Sequence, residues 1–349
     1  MKKKDLIVFD ATLRDGSHAL KHQLEPSQVE RYCAAIDKSG LYTVVVGHGN
    51  GLGASSLQVG LSKYSDVELL QAARKNLKTP KLGVYMIPGF GTIEDNLIPA
   101  IDCGVELFKI GCHCTEADVT RQHIEYLAKN SKEVYGVLMM SHMASPARLL
   151  EEVQKMESYG AQGVVLMDSA GAYLPQDVEE KVSLLVDKTN IRIGFHAHNN
   201  LSLAVANTLE AIKCGATIID GTLCGFGAGA GNCQLEAIVA ILQKRGLLSN
   251  IKLYDLLDIA DEIVRPEFNY LGGVKSTSIV SGLAGVFSAF AVHVNNAAKQ
   301  YGVDPRDIYM ELGKRGVVGG QEDLVVDVAI YLQQKQKNDD STFVMEALL

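Results

Sequence analysis

The chain has 349 residues, of which 47% are hydrophobic and 21% are charged, and its formal net charge at pH 7 is −8. This length and composition are typical of a globular protein with one large domain or two smaller ones. The negative net charge argues against nucleic acid or an anionic membrane as the main partner.

The cysteines and the most apolar segment bear on the cellular compartment of the protein and on whether a membrane-spanning helix is predicted. The seven cysteines show no paired C-x-x-C spacing, so we interpret them as reduced thiols of a cytoplasmic protein. The least polar stretch, Ser276 to Val294, barely reaches the ~18 residues that a membrane span requires. A buried helix is therefore predicted there.

Short β-rich runs alternate with amphipathic segments along the first 250 positions. The predicted strands are Leu6–Ala11, Thr43–Gly47, Leu82–Ile87, Val105–Gly111, Val134–Met140, Gly163–Asp168, Arg192–His198 and Thr217–Gly221. The predicted helices between them are Gln28–Lys38, Ser65–Lys75, Glu94–Cys103, Arg121–Asn130, Ser145–Tyr159, Gln176–Thr189 and Leu203–Lys213. This alternation predicts an α/β fold, a (βα)8 TIM barrel. A doubly wound sheet is less well supported, because no glycine-rich fingerprint follows the first strand.

The remaining part of the chain has a helical pattern. The predicted helices are Tyr254–Val264, Ile279–Tyr301, Pro305–Lys314 and Asp323–Gln336. We therefore expect two domains, a catalytic barrel over 1–252 and a helical C-terminal domain over 253–349. The long apolar helix predicts a lid over the pocket or an interface with another subunit, so an oligomer is expected.

A metal site is predicted from three residues on two strands. His196 and His198 are two positions apart on the seventh strand, so both imidazoles point to the same face. Asp15 follows the first strand, and two histidines with one carboxylate suit a divalent cation. The alternative is that the two histidines are only core residues with satisfied hydrogen bonds.

The predicted positions agree with the location of active sites in (βα)8 barrels, which lie at the carboxyl ends of the strands. Candidate residues close strand 7 (His196 and His198) or follow strands 1, 2, 6 and 8: Arg14, Asp15, His48, Ser169 and Gly225–Asn232. The glycines of the last segment also fit the G-x-G-x-x-A pattern of dinucleotide sites. Close approach of the backbone to a substrate pocket explains them better.

Several motifs occur in one order along the chain. They are D-A-T-L-R-D-G-S-H (Asp10–His18), H-G-N-G-L (His48–Leu52), H-C-T-E-A-D (His113–Asp118), L-M-M-S-H-M (Leu138–Met143), F-H-A-H-N-N-L-S-L-A-V-A-N (Phe195–Asn207), G-A-G-A-G-N (Gly227–Asn232) and V-G-G-Q-E-D (Val318–Asp323). Together they resemble the 4-hydroxy-2-oxovalerate aldolases. These belong to a larger group with 3-hydroxy-3-methylglutaryl-CoA lyase and isopropylmalate synthase, and the resemblance covers nearly the whole chain.

The resemblance implies aldol cleavage of a 4-hydroxy-2-oxo acid to pyruvate and a short aldehyde. A divalent metal, typically Mn²⁺ with Mg²⁺ or Co²⁺ as alternatives, would be held by Asp15, His196 and His198. Arg14 would stabilise the enolate oxygen, and His18 would take the proton of the C4 hydroxyl as general base.

The resemblance also implies further contacts and a partner. The substrate-binding residues would be Arg14, Asp15, Ser169, His196 and Phe287. His48 and Asn232 are expected to support the site from behind these residues. The partner would be an acylating acetaldehyde dehydrogenase that takes the aldehyde directly.

Three positions depart from the aldolase pattern. The family commonly has Glu at the position of Val45, Asp at Asn50, and a substrate-facing tyrosine at Phe287. These departures concern the choice of substrate more than the reaction. Tyr85 on the third strand is a candidate for a replacement hydroxyl or a supporting role.

Three other interpretations of the sequence remain open. A class I aldolase would use a Schiff-base lysine, for which Lys109 in the fourth strand is the candidate. A related metal-dependent lyase or synthase would act on a different oxo acid or on an acyl-CoA. A non-catalytic partner protein could retain the same fold as a scaffold.

Overall fold

In a computed structural model, residues 5–270 and 272–346 are described, with side chains as far as Lys337. The strands are β1 Ile7–Asp10, β2 Thr43–Val45, β3 Lys81–Met86, β4 Leu107–His113, β5 Glu133–Met139, β6 Gly163–Asp168, β7 Arg192–Ala197 and β8 Ile218–Gly221. The helices are α1 Gly16–Ala19, α2 Pro26–Ile36, α3 Asp66–Asn76, α4 Ile98–Asp102, α5 Arg121–Lys129, α6 Pro146–Tyr159, α7 Pro175–Lys188, α8 Ala204–Lys213, α9 Leu235–Lys244, α10 Leu253–Ile259, α11 Arg265–Glu267, α12 Ser276–Ala284, α13 Ala291–Tyr301, α14 Pro305–Lys314 and α15 Leu324–Glu346.

The strands form a closed parallel barrel in the order β1 to β8. β1 closes it by pairing with β2 on one side and β8 on the other, so that Asp10 lies opposite both Val44 and Gly221. The predicted (βα)8 barrel with a helical C-terminal region is therefore confirmed. Because the strands are parallel, their carboxyl ends meet at one rim.

Apolar side chains pack both inside the barrel and between its strands and helices. The interior set includes Phe9, Val45, Tyr85, Tyr135 and Val165. A larger layer lies between the strands and the surrounding helices. The C-terminal helices have a core of their own, which runs from Val286 to Ala329.

The prediction of a single helix over Ile279–Tyr301 was wrong, because the structure has two helices there, α12 and α13. Helix α12 ends at Gly285, whose φ of +67° is the left-handed conformation that glycine adopts readily at a helix end. A 3-10 turn, Ser288–Phe290, then leads into α13. Within the described residues, no helix combines the length and apolarity needed to cross a membrane.

The C-terminal helices dock onto the rim of the barrel. The Ser288 amide donates to the carbonyl of Ser169 at 3.0 Å, and the Ser288 hydroxyl contacts Asn200 Oδ1 at 3.1 Å. His142 Nε2 and the Gly285 carbonyl are 3.0 Å apart. The helical region therefore covers the ends of the strands that carry the candidate residues.

The buried carboxylate of Asp10 connects the first strand to helix α2 through a hydrogen bond from Tyr32, and the contribution of this bond to stability can be measured. Tyr32 on α2 donates to Asp10 Oδ2 at 2.6 Å, and both side chains are fully buried. We expect Tyr32→Phe to lower the free energy of unfolding by about 1–3 kcal/mol, because a buried acceptor loses its partner. Urea denaturation measures this.

Tyr254→Phe is the matched control, since Tyr254 is 79% exposed. Its effect should stay within about 0.5 kcal/mol. Equal stabilities for the two variants would contradict the role given to the Tyr32 hydroxyl.

Candidate active site

Three buried side chains converge at the carboxyl end of the barrel. Asp15 follows β1 and immediately precedes the short helix α1, whereas His196 lies in β7 and His198 just after it. Asp15 Oδ2 is 3.8 Å from His196 Nε2, and Asp15 Oδ1 is 3.9 Å from His198 Nε2. One ligand atom from each residue lies within 4.8 Å of the others, so the group could hold a metal ion.

The second nitrogen of each imidazole fixes the orientation of the ring. His196 Nδ1 lies 3.1 Å from Asp220 Oδ1, and His198 Nδ1 lies 2.9 Å from the carbonyl oxygen of Asp168. Both partners are acceptors, so each Nδ1 carries the proton and each Nε2 presents a lone pair. Burial lowers the pKa of His198 to about 4, which keeps that ring neutral.

A buried nitrogen without a hydrogen bond shows whether this group of side chains suits a metal ion. His196 Nε2 is buried and has no hydrogen-bond partner among the described residues, although it lies beside an ionised carboxylate. Neutral imidazoles oriented by a carboxylate or a carbonyl are the usual arrangement of metal-binding histidines. The donor set of Asp15, His196 and His198 therefore fits a divalent cation.

Asp15 is held in place by donors from three directions. Its Oδ2 accepts from Arg14 Nη1 at 2.7 Å, and its Oδ1 accepts from Asn232 Nδ2 at 2.8 Å and from the Ala228 amide at 3.0 Å. Although burial opposes ionisation, the positive charge of Arg14 holds the pKa of Asp15 well below its usual range. Asn232 thus contacts Asp15 directly, and its own Oδ1 is buried with no partner in residues 5–270 and 272–337.

A buried ion pair lies beside the histidines. Lys109 of β4 and Asp220 of β8 are both fully buried and bonded to each other across the barrel interior. Burial alone would raise the pKa of Asp220, but the charge of Lys109 and the hydrogen bond from His196 bring it below its usual value. Asp220 is a functional residue that no motif of the sequence indicated. A lone acid in the apolar strand Ile218–Gly221 was the available signal.

Arg14 has one occupied edge and one free edge. Its Nη1 donates to Asp15 and, at 3.3 Å, to the Gly49 carbonyl. Nε and Nη2 are buried and have no hydrogen-bond partner in the part of the chain that the structure describes. The guanidinium lies over the ring of Tyr85, with Cζ 4.9 Å from the ring centroid.

His18 lies at the entrance to this group. A Cβ at Gly49 would come within 2.5 Å of its ring, so the close approach requires glycine there. Burial lowers the pKa of His18, which favours the neutral imidazole. The ring also contacts His22 edge to face, with centroids 5.0 Å apart.

Both ring nitrogens of His48 contact backbone groups of its own loop, so this residue has a structural role. Its Nδ1 accepts from the Asn50 amide at 3.0 Å, and its Nε2 lies 3.0 Å from the Gly60 carbonyl. Its ring stacks on His22 with centroids 3.6 Å apart, and burial lowers the pKa of His22 to about 2 and that of His48 to about 4. The His22–His48 stack, which the sequence analysis missed, supports His18 from behind.

A cavity of about 740 Å³ opens above these residues between the barrel and the C-terminal helices. His18, Asn50 and Phe287 are among its lining residues. Ser169 has a structural role, because its Oγ accepts from the Met140 amide at 2.9 Å. Phe287 packs on Phe290, with centroids 5.9 Å apart.

Comparison with known proteins assigns the class. Residues 5–263 match the family described as HMGL-like, and residues 273–334 match the DmpG-like communication domain. The fold and the family match thus define an HMGL-like barrel protein with a communication domain.

The chain belongs to the 4-hydroxy-2-oxovalerate aldolase family and is a carbon–carbon lyase, so the resemblance seen in the motifs is confirmed. It is 51% identical to the 4-hydroxy-2-oxovalerate aldolase of Pectobacterium atrosepticum, over 96% of this chain and 98% of that protein. It is also 51% identical to that of Spirochaeta aurantia, over 93% of this chain and 95% of the relative.

Solved structures show the same fold at lower identity. The N-terminal domain of a putative aldolase from Bacteroides vulgatus matches with a TM-score of 0.70 and 24% identity, over 82% of this chain and 95% of that one. The carboxyl transferase domain of Rhizobium etli pyruvate carboxylase, solved with pyruvate, matches with a TM-score of 0.79 and 16% identity, over 96% and 62%.

Proposed function

We propose that the protein is a class II aldolase, which uses a divalent metal to cleave 4-hydroxy-2-oxo acids such as 4-hydroxy-2-oxovalerate to pyruvate and a short aldehyde. The observation that carries this proposal is the convergence of Asp15, His196 and His198 beside Arg14, in a chain of the aldolase family. Asp15 is ionised, and the lone pairs of both imidazoles face its carboxylate.

The metal would be held by Asp15, His196 and His198, and we assign Mn²⁺ because it is the metal that the resemblance to the aldolase family implies. Mg²⁺ and Co²⁺ are the alternatives. When bound, the ion would supply Lewis acidity toward the 2-oxo acid. Asp220 and the Asp168 carbonyl orient the two imidazoles for this purpose.

Arg14 and His18 have separate roles in the cleavage: His18 accepts a proton, and Arg14 stabilises negative charge. His18, held neutral by burial, accepts the proton of the C4 hydroxyl as the C3–C4 bond breaks. The electron pair of that bond passes to the pyruvyl fragment and forms its enolate. The free Nε and Nη2 of Arg14 are donors that stabilise the negative charge on the enolate oxygen.

The wall of the cavity contributes to substrate binding. Phe287 lines the cavity together with His18 and offers an apolar surface suited to the alkyl end of a short aldehyde. Ser169 lies beside Asp168 at the end of β6 and fixes the backbone there through Met140. A Schiff-base mechanism at Lys109 is disfavoured, because its ammonium is buried in the pair with Asp220.

Activity measurements with metal removal test this function. We expect purified protein to release pyruvate from 4-hydroxy-2-oxovalerate, to lose this activity in EDTA, and to regain it with Mn²⁺. Asp15→Asn should lower kcat/KM by about 10³-fold, because it removes the charge that holds the ion. Asp187→Asn is the control, since that side chain is 71% exposed.

The alternatives give different results in the same assays. Activity that survives EDTA, with inactivation by borohydride in the presence of pyruvate, would identify a class I enzyme. Turnover of acyl-CoA esters in place of free oxo acids would identify a different lyase or synthase of the group.

The orientation of His196 can be tested through metal affinity. We expect the double variant Lys109→Met with Asp220→Asn to bind Mn²⁺ about 10- to 100-fold more weakly, since His196 loses its carboxylate partner. Removing both charges avoids leaving a lone buried lysine. Competition with a chelator measures the affinity, and an unchanged Kd in a folded double variant would refute the role of Asp220.

We also propose that residues 273–334 bind an acylating acetaldehyde dehydrogenase. The match to a communication domain supports this, and α12 exposes Ile279 and Leu283 one turn apart. Co-expression with such a dehydrogenase should give a complex on size exclusion. Leu283→Asp, at a side chain that is 69% exposed, should weaken it at least 10-fold, because a charge is placed in an apolar contact.

Val119→Asp on the barrel is the matched control for this experiment, since Val119 is also exposed. Pyruvate release by the Leu283→Asp enzyme alone should be unchanged. Failure of the wild-type proteins to form a complex would exclude the partner.

A further inference from the structure

The hydroxyl of Tyr85 is a buried polar group without a partner. The side chain is 2% exposed, and its oxygen makes no hydrogen bond with the described residues. Three other buried tyrosines differ in this respect, since Tyr32 bonds Asp10, Tyr135 bonds Glu133, and Tyr173 bonds Ser141. A buried hydroxyl left unpaired costs free energy, so such groups point to an absent ligand.

The neighbouring strand leaves space for this hydroxyl. Gly111 of β4 lies against Tyr85, and a Cβ there would come within 2.1 Å of the tyrosine oxygen. Lys109, two residues earlier on the same face of β4, points into the barrel and bonds Asp220. The Tyr85 hydroxyl therefore lies on the inner wall of the barrel, above the Lys109–Asp220 pair.

Two contacts join Tyr85 to the candidate active site. Its ring supports the guanidinium of Arg14, and Arg14 in turn donates to Asp15. Nε and Nη2 of that guanidinium are buried and unpartnered as well. Three hydrogen-bond donors from two stacked side chains thus remain available in one region, beside the residues proposed to hold the metal.

We infer that the Tyr85 hydroxyl and the free edge of Arg14 form a subsite that binds an oxygen of the pyruvyl part of the substrate. This inference rests on the proposed function and adds a substrate-contacting residue to it. The ligand chemistry is an anionic oxygen, supplied by the carboxylate or by the enolate that forms during cleavage. Burial raises the pKa of the Tyr85 hydroxyl, so it stays protonated and donates.

The experiment compares Tyr85→Phe with Tyr135→Phe, a buried tyrosine two strands further along whose hydroxyl already bonds Glu133. Three quantities are measured with Mn²⁺ present: kcat/KM for pyruvate release, exchange of the pyruvate methyl protons with deuterium by NMR, and inhibition by oxalate, which resembles the enolate. Tyr85→Phe should lower both kcat/KM and the rate of methyl-proton exchange by roughly 10- to 100-fold. Inhibition by oxalate should weaken by a similar factor. The thermal midpoint of Tyr85→Phe should not fall, because no protein hydrogen bond is lost.

The control should show the opposite pattern, with a lower thermal midpoint and little change in oxalate inhibition. Gly111→Ala is the second variant, and it should weaken oxalate by displacing the tyrosine oxygen. Unchanged proton exchange and unchanged oxalate inhibition in Tyr85→Phe would overturn the subsite. A loss of cleavage activity that is confined to substrates with a polar group at the aldehyde end would also overturn it. Wild-type protein that exchanges pyruvate and binds oxalate but cleaves no 4-hydroxy-2-oxo acid would refute the proposed function while leaving the subsite supported.

Discussion

Closure of the barrel between β1 and β8 is the constraint on which the site depends. Asp15 follows the first strand and the two histidines belong to the seventh, more than 180 positions away in the chain. Only β8 separates β1 from β7 in the closed sheet, so the three side chains reach one point. An open sheet would leave the first and seventh strands far apart.

The same closure places compensating charges around the site. Lys109 and Asp220 neutralise each other across the interior, while Arg14 neutralises Asp15. With His198 kept neutral by burial, the residues around the triad carry little net charge before any ion binds. A bound divalent cation would therefore leave the centre positive, which suits an anionic 2-oxo acid and its enolate.

Much of this arrangement could be predicted from local patterns. Alternation of strands and helices indicated the barrel, and the spacing of His196 and His198 placed them on one face of a strand. Asp220 was missed, because its partners Lys109 and His196 come from other strands and their meeting depends on the barrel register. Local patterns do not report such contacts.

The break between α12 and α13 was missed for a different reason. The apolar run from Ser276 onward has helical periodicity throughout, and Gly285 inside it is compatible with either a continuous helix or a left-handed cap. Packing decides between them, because the chain must turn at Gly285 for Ser288 to reach the rim of the barrel. Tertiary contacts here override local propensity.

That turn links the C-terminal helices to the proposed metal ligands. Ser288 donates its amide to the carbonyl of Ser169, and the preceding residue, Asp168, presents its own carbonyl to His198. The segment that covers the cavity and the segment that orients His198 are therefore joined by one hydrogen bond and one peptide unit. A displacement of α12 and α13 would act on the His198 ring through two adjacent backbone carbonyls, because the end of β6 is held on both sides. This contact offers a direct physical route by which a partner bound to the helical region would influence the reaction centre.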